Sequence, residues 1–164
     1  MHHAIESLLL RAIPHAVDAA RAEQRIQAIR AMPAMVHGSV ELERVDDRLI
    51  AVRRRQLQAH HFGGFSGTRQ VVNGAVLAGL FDCAFGVAAR LQYDSGATVT
   101  VDLSMQYMQA THGPHVTVYG AVVLSRARLA FSEAIVIDGR GELTARGTCT
   151  CTAVYREAAD DRAR

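Results

Sequence analysis

Residues 70–89 read QVVNGAVLAGLFDCAFGVAA, twenty residues between two arginines in which Asp82 is the only formal charge. The run approaches the roughly 20 residues of a membrane span. A carboxylate near the centre of such a span costs about 2.5–3.5 kcal/mol on insertion scales, and Asn73 with three glycines adds to the deficit. No other segment is comparably apolar. The stretch therefore reads as a buried helix of a globular chain. At 100° per residue, Leu77, Leu80, Phe81, Ala84, Ala88 and Leu91 share one broad apolar face, while Ala75, Gly79, Asp82 and Gly86 share the other. A helix apolar around most of its circumference must be wrapped by other elements.

Downstream the hydrophobic period changes from 3.6 to 2. TVTVDLSMQYMQ puts Val99, Val101, Leu103, Met105 and Tyr107 on one strand face and Thr98, Thr100, Asp102, Ser104 and Gln106 on the other. HVTVYGAVVLS, RLAFSEAIVID and ELTARGTCTCTAVYRE follow, separated by the turns His112–His115 and Asp138–Gly141. Upstream, VHGSVELER and RLIAVRRRQ flank the turn Val45-Asp46-Asp47, as in a hairpin. Ile5, Leu8, Leu9 and Ala12 recur at helical spacing before Pro14, and HAVDAARAEQRIQAIRA continues the pattern until Pro33 stops it. The expected order is α, β, β, loop, long α, then four strands. This is an α+β domain with an antiparallel sheet curved around one central helix and extra N-terminal helices. Its parts are a helical segment at 1–33, a core at 36–155 and a tail at 156–164.

The 164 residues suit one core, and 49% hydrophobic against 21% charged residues excludes wholesale disorder. Eighteen arginines against sixteen acids leave a net charge of +2 with no lysine, and the interleaved signs give no reason to expect nucleic-acid binding. Three cysteines do not make a disulfide framework. Met1-His2-His3 opens without a signal-peptide pattern, so a cytoplasmic location is expected.

Asn73 is a favoured N-cap, and Gly74 and Ala75 follow in the first turn, where unpaired N–H groups and the helix dipole can polarise a carbonyl oxygen. Asp82 lies nine residues along, about 13 Å at 1.5 Å per residue. That is too far for one helix to apply both features to one small group. Two helices packed antiparallel would bring the carboxylate of one to the N-terminus of the other, so a site shared across a homodimer is expected. Gly79 and Gly86, each costing about 1 kcal/mol in a helix interior, suggest a backbone that something approaches closely.

These features resemble the hotdog-fold thioesterases, in particular the phenylacetate-pathway and 4-hydroxybenzoyl-CoA thioesterase type. Their central helix starts His-Gly-Gly and carries an acidic residue nine positions after the His; this chain has Asn73-Gly74-Ala75 and Asp82. TVTVDLSMQYMQATHG resembles the family's strand after the helix, and IDGRGELTARGTCT its last hairpin. The resemblance spans roughly residues 36–155. It implies a hotdog fold, a homodimer or homotetramer, and hydrolysis of a small, medium-chain or aromatic acyl-CoA, with coenzyme A present only as part of the substrate. Asp82 corresponds to the general base or nucleophile, and Ala75 to the residue whose N–H binds the carbonyl oxygen. Asn73 replaces a titratable His with an amide. A polar residue six positions before that His, commonly Asn, falls here on Gly67, between Ser66 and Thr68. Thr98 and Thr100 are expected to border the cleft, and Arg126 and Arg128, read as sharing a strand face, to meet the phosphates of coenzyme A.

Two other functions stay open on the sequence: acyl-CoA or lipid binding without turnover, and hydration of an enoyl-CoA with a base from His60-His61. His112-x-x-His115 has a metal-like spacing, but Gly-Pro between and no neighbouring ligand make it a turn, so no metal is expected. Cys149 and Cys151 alternate onto one strand face as small hydrophobes, and Cys83 has no His partner. Arg53-Arg54-Arg55 reads as a solvated strand end, and Gly63-Gly64 lacks the strand–helix context of a phosphate loop.

Overall fold

The computed structural model describes residues 2–63 and 70–155. Helix α1 (His3–Arg11) and helix α2 (Ala19–Arg30) precede a short helix α3 (Pro33–His37). Strands β1 (Val40–Arg44) and β2 (Ile50–Arg54) form the first hairpin, and a 3-10 turn, Ala59–His61, leads toward the long helix α4 (Gly74–Arg90). Strands β3 (Thr98–Tyr107), β4 (Val116–Ser125), β5 (Leu129–Asp138) and β6 (Leu143–Ala153) complete one antiparallel six-stranded sheet ordered β1-β2-β4-β5-β6-β3.

Helix α4 packs across one face of this sheet. Leu77, Phe81, Ala84, Phe85 and Ala88 are buried there with Val52, Val118, Val122, Val136 and Ala145. Two sheet glycines let the helix settle. A Cβ on Gly120 would lie 3.1 Å from that of Ala84, and one on Gly147 would meet the Ser104 carbonyl oxygen at 2.9 Å and the Phe81 ring at 3.2 Å. Asn73 caps the N-terminus by accepting from the Ala75 N–H at 2.8 Å. At the other end the buried Arg25 guanidinium, from α2, donates to the carbonyls of Arg90 at 2.7 Å and Tyr93 at 2.6 Å. A cation there offsets the negative end of the helix dipole.

The N-terminal helices cover opposite sides. Ile5, Leu8 and Ala12 bury a small second core with Leu49, Ala121 and Ile135 on the sheet face away from α4. Helix α2 joins the main core through Ala22, Ile26 and Ile29. Residues 12–18, expected to be partly helical, instead run extended between them: Ile13 N–H donates to Val122, His15 N–H to Asp47 and Val17 N–H to Leu91. Pro33 ends α2 as expected but also opens α3 as its first residue, where its missing N–H costs nothing. The strand period expected from Val36 therefore begins only at Val40.

Strand β3 departs from strict alternation. The register pairs Thr100 with Cys151 and Asp102 with Thr150, so Val101 bulges between them. One extra residue inverts the facing of all that precedes it. Thr98 and Thr100 thereby join Leu103, Met105 and Tyr107 on the helix side, and Val99 is separated from that set. No helix among the described residues is long and apolar enough to cross a membrane.

Candidate active site

On the side away from the sheet core, α4 presents Ala75, Gly79 and Asp82 to solvent, with Gly86 half-buried. No described atom lies within 4 Å of where a Cβ would sit on Gly79 or Gly86. Packing among the described residues therefore does not require the glycines. Beside this face runs β3, the last strand of the sheet order, with no strand beyond it among the described residues. The opposite edge is covered: Arg30 of α2 donates Nε–H to the Leu42 carbonyl of β1 at 2.8 Å. One sheet edge is thus blunted, and the other is open among the described residues.

Asp82 is held from β3. The Thr100 hydroxyl donates to Asp82 Oδ1 at 2.7 Å, the length of a charge-assisted bond to a carboxylate. Asp82 Oδ2 has no hydrogen bond among the described residues. Thr98, one pair along, donates its hydroxyl to the Gly86 carbonyl at 3.2 Å. Both threonines expected at the cleft therefore lie along the helix, and the bulge puts them there. Cys83, next to Asp82, points inward with Sγ 3.7 Å from Met35 Sδ. Burial, reinforced by the Asp82 charge, pushes its thiol up to about 11, so Cys83 stays protonated and unreactive near neutral pH.

At the helix start, Ala75 N–H, expected to polarise a substrate carbonyl, is taken by the Asn73 side chain. Gly74 N–H has no partner among the described residues. Tyr107, which sequence reading placed only on a strand face, reaches over this terminus and donates to the Gly74 carbonyl at 2.9 Å. Half-exposed itself, it walls the end of the helix. Its only advance signal was a polar-tipped aromatic at the end of a strand expected beside the helix.

Ser66, Gly67 and Thr68 lie outside the described residues. Arg126 and Arg128 do not share a strand face; they flank the turn between β4 and β5, at the end where α4 finishes. Arg126 offers its carbonyl to the Tyr93 hydroxyl at 3.1 Å, and Arg128 sits 5.4 Å over the Tyr155 ring. Within one chain they stand at the far end from Asn73 and Gly74. His61 is buried and its Nδ1 accepts from the Gln58 N–H at 2.8 Å. Burial and the Arg54 charge hold its ring below the ordinary histidine value, so it is neutral. Its carbonyl accepts from Asn73 N–H at 2.8 Å, which anchors the loop to the helix start. Neither His60 nor His61 bonds to Asp82. His112 Nδ1 meets the Gln70 carbonyl at 3.0 Å, and among the described residues no three His, Cys, Asp or Glu side chains come together as metal ligands would.

Residues 69–145 match the family model of the Thioesterase superfamily. No curated protein matches the sequence. Solved structures share the fold at low identity. A thioesterase of Haemophilus influenzae superposes with a TM-score of 0.72 at 14% identity, covering 89% of this chain and 98% of its own. The PaaI protein of Escherichia coli, from its phenylacetic acid degradation operon, gives 0.72 at 15% identity, covering 83% and 95%. A thioesterase family protein of Silicibacter pomeroyi gives 0.70 at 17%, covering 82% and 98%. The fold is the hotdog fold.

Proposed function

For a chain with the hotdog fold and a match to the Thioesterase superfamily, we propose hydrolysis of an acyl-CoA at a site shared by two copies of the protein. One observation carries the reading: Asp82 stands on a small-residue helix face beside a strand edge that is open among the described residues, with one carboxylate oxygen fixed by Thr100 and the other without a hydrogen bond among them. Antiparallel pairing of two β3 edges would set two α4 helices side by side and give Gly79 and Gly86 the close neighbour they lack among the described residues. Each Asp82 would then face the partner's helix start.

Asp82 takes a proton from water as the water oxygen adds to the thioester carbon. The carbonyl oxygen gains the charge, which the Gly74 N–H stabilises. Ala75 N–H joins once the Asn73 amide swings aside, at the cost of one cap, about 1 kcal/mol. Collapse breaks the C–S bond and releases a carboxylic acid and a thiolate, which is a good leaving group without a dedicated acid. The same carboxylate could attack directly, giving a mixed anhydride that water opens. The Thr98–Thr100 row lines the cleft. In the paired assembly, Arg126 and Arg128 lie toward the partner's helix start, where coenzyme A phosphates would reach them. Three free thiols among the described residues fit a reducing cytoplasm.

A second reading, acyl-CoA binding without turnover, draws on Asn73, whose amide occupies the N–H that would polarise the carbonyl. Thiol release across short, long and aromatic acyl-CoAs separates the two. Asp82→Asn should lower kcat by 10²-fold or more with an unchanged melting temperature. Retained hydrolysis in Asp82→Asn would overturn the role of Asp82. Tight binding with no thiol release by the unaltered protein would establish the second reading.

A further inference from the structure

The start of α4 is held from both sides by the chain that ends β3 and follows it. Tyr107 donates its hydroxyl to the Gly74 carbonyl at 2.9 Å, and farther along the Thr111 carbonyl accepts from the Val72 N–H at 3.0 Å. In sequence, the Gly74 N–H lies between these two bonds. The connection after β3 is itself tied down by buried polar groups that hydrolysis does not use. The Thr111 hydroxyl donates to Thr144 Oγ1 at 2.8 Å, and both threonines are buried. Asp138, 3% exposed, accepts from the His112 N–H through Oδ2 at 3.0 Å. Its Oδ1 accepts from the N–H groups of Arg140 at 2.8 Å and Glu142 at 3.0 Å. We propose that Asp138 is a positioning residue for the helix start that stabilises the carbonyl oxygen, acting through one peptide group on Val72. The inference rests on the reading of the Gly74 N–H as the donor to that oxygen.

A carboxylate opening an Asp-Gly turn needs only its own turn, and the two bonds at Oδ1 satisfy the hairpin between β5 and β6. The third bond leaves the hairpin and fixes His112, 26 positions earlier. The backbones of the two turns are also locked together. Gly139 N–H donates to the His112 carbonyl at 3.0 Å, and a Cβ on Gly113, at φ +100°, would meet Gly139 Cα at 2.8 Å. The His112 N–H and the Thr111 carbonyl are two ends of one planar peptide, so fixing the first aims the second. A carboxylate on the N–H end also polarises that peptide and strengthens its carbonyl as an acceptor for Val72. Asp138 therefore sits one peptide group away from the segment that enters α4. A misplacement of about 1 Å in a positioned group can cost about 10²-fold in rate.

Asp138→Asn separates positioning from turn capping. The amide oxygen stays with the two N–H groups of the hairpin, and its NH2 then faces the His112 N–H, donor against donor. The hairpin is kept and the link toward the helix is cut. Well below the melting temperature, kcat should fall about tenfold with KM changed less than about twofold. Amide exchange at Val72 should quicken while that at Arg140 and Glu142 stays slow. Asp138→Ala loses all three bonds and should be less stable than Asp138→Asn yet no more active. A carboxylate that only caps its turn predicts parental kcat in every folded variant. Parental kcat in Asp138→Asn overturns the positioning role, and parental exchange at Val72 overturns the link. A parent that releases no thiol from any acyl-CoA overturns instead the reaction beneath the inference. Exchange at Val72 is read without substrate, so the two failures are told apart.

Discussion

At the scale of the residue, the side-chain amide at position 73 sets the hydrogen bonding of the helix start. Asn73 has an extended backbone, φ −62° and ψ 134°, and its side chain satisfies an orphan N–H of the first turn. A histidine there could titrate; an amide can only accept and donate. Asn73→Gly tests how the two uses of the Ala75 N–H compete. Glycine keeps the cap conformation accessible, at a cost of a few tenths of a kcal/mol, and frees that donor. The expected outcome is kcat/KM on acyl-CoA equal to the parent or raised severalfold. A tenfold loss would show that the amide itself holds the substrate. Asp82 stood out in the sequence as a single carboxylate in twenty apolar residues, which is a local property. Tyr107 over Gly74 was not, since that contact joins residues 33 apart through the helix–sheet packing.

At the scale of the element, the extended strap at 12–18 joins the outer and inner N-terminal helices and carries a histidine in an unusual setting. Both ring nitrogens of His15 are shielded from solvent, above a turn that holds Arg44, Asp46, Asp47 and Arg48. Burial, then the Arg44 charge, lowers the imidazole to about 4, although Asp46 and Asp47 pull the other way. The folded pKa lies below the unfolded value, so protonation favours the unfolded chain. The His15 contribution to stability is whole above about pH 6.5 and is lost as pH falls toward 4. With solvent screening allowed for, the loss is about 1–2 kcal/mol. Urea midpoints of the parent and His15→Gln between pH 7.5 and 4.5 measure it. The parent should lose stability faster on acidification, and parallel curves would show that His15 titrates as it does unfolded. Periodicity could not reveal this strap, because helical spacing of apolar residues around Pro14 looks the same whether the chain coils or runs extended against three carbonyls.

At the scale of the whole molecule, the question is which surfaces the chain leaves unfinished. Val99 and Val101 are more than half exposed on the edge strand, and the Ala75–Gly79–Asp82 face beside them is open. Edge strands of this kind are usually blunted or paired. Gly79→Arg places a long cation where no described atom lies within 4 Å, so the single chain keeps its fold. It should gain some helix propensity, since Gly costs about 1 kcal/mol there. Against a second copy the same side chain is a wedge. Sedimentation should show Gly79→Arg as a monomer while the parent is a dimer or tetramer, with thiol release falling in step. A parent that sediments as a monomer, or a Gly79→Arg variant that still associates, would remove the shared-site arrangement.

By itself the amino-acid sequence determined the order of elements, the long helix, the two faces of that helix and the one charge upon it. Those are local properties, written in spacing, caps and turn residues. Only the tertiary structure decided what surrounds the charge. The Val101 bulge turns Thr100 toward Asp82 and brings Cys151 behind it, and a one-residue slip between paired strands leaves no mark in composition or in period. The same limit explains Arg126 and Arg128, whose alternation fits a strand as well as the turn they flank. Which sheet edge stays open was also beyond the sequence, because it depends on Arg30 reaching a carbonyl twelve residues away. Local physics sets the pieces, and long-range pairing sets which side chains meet.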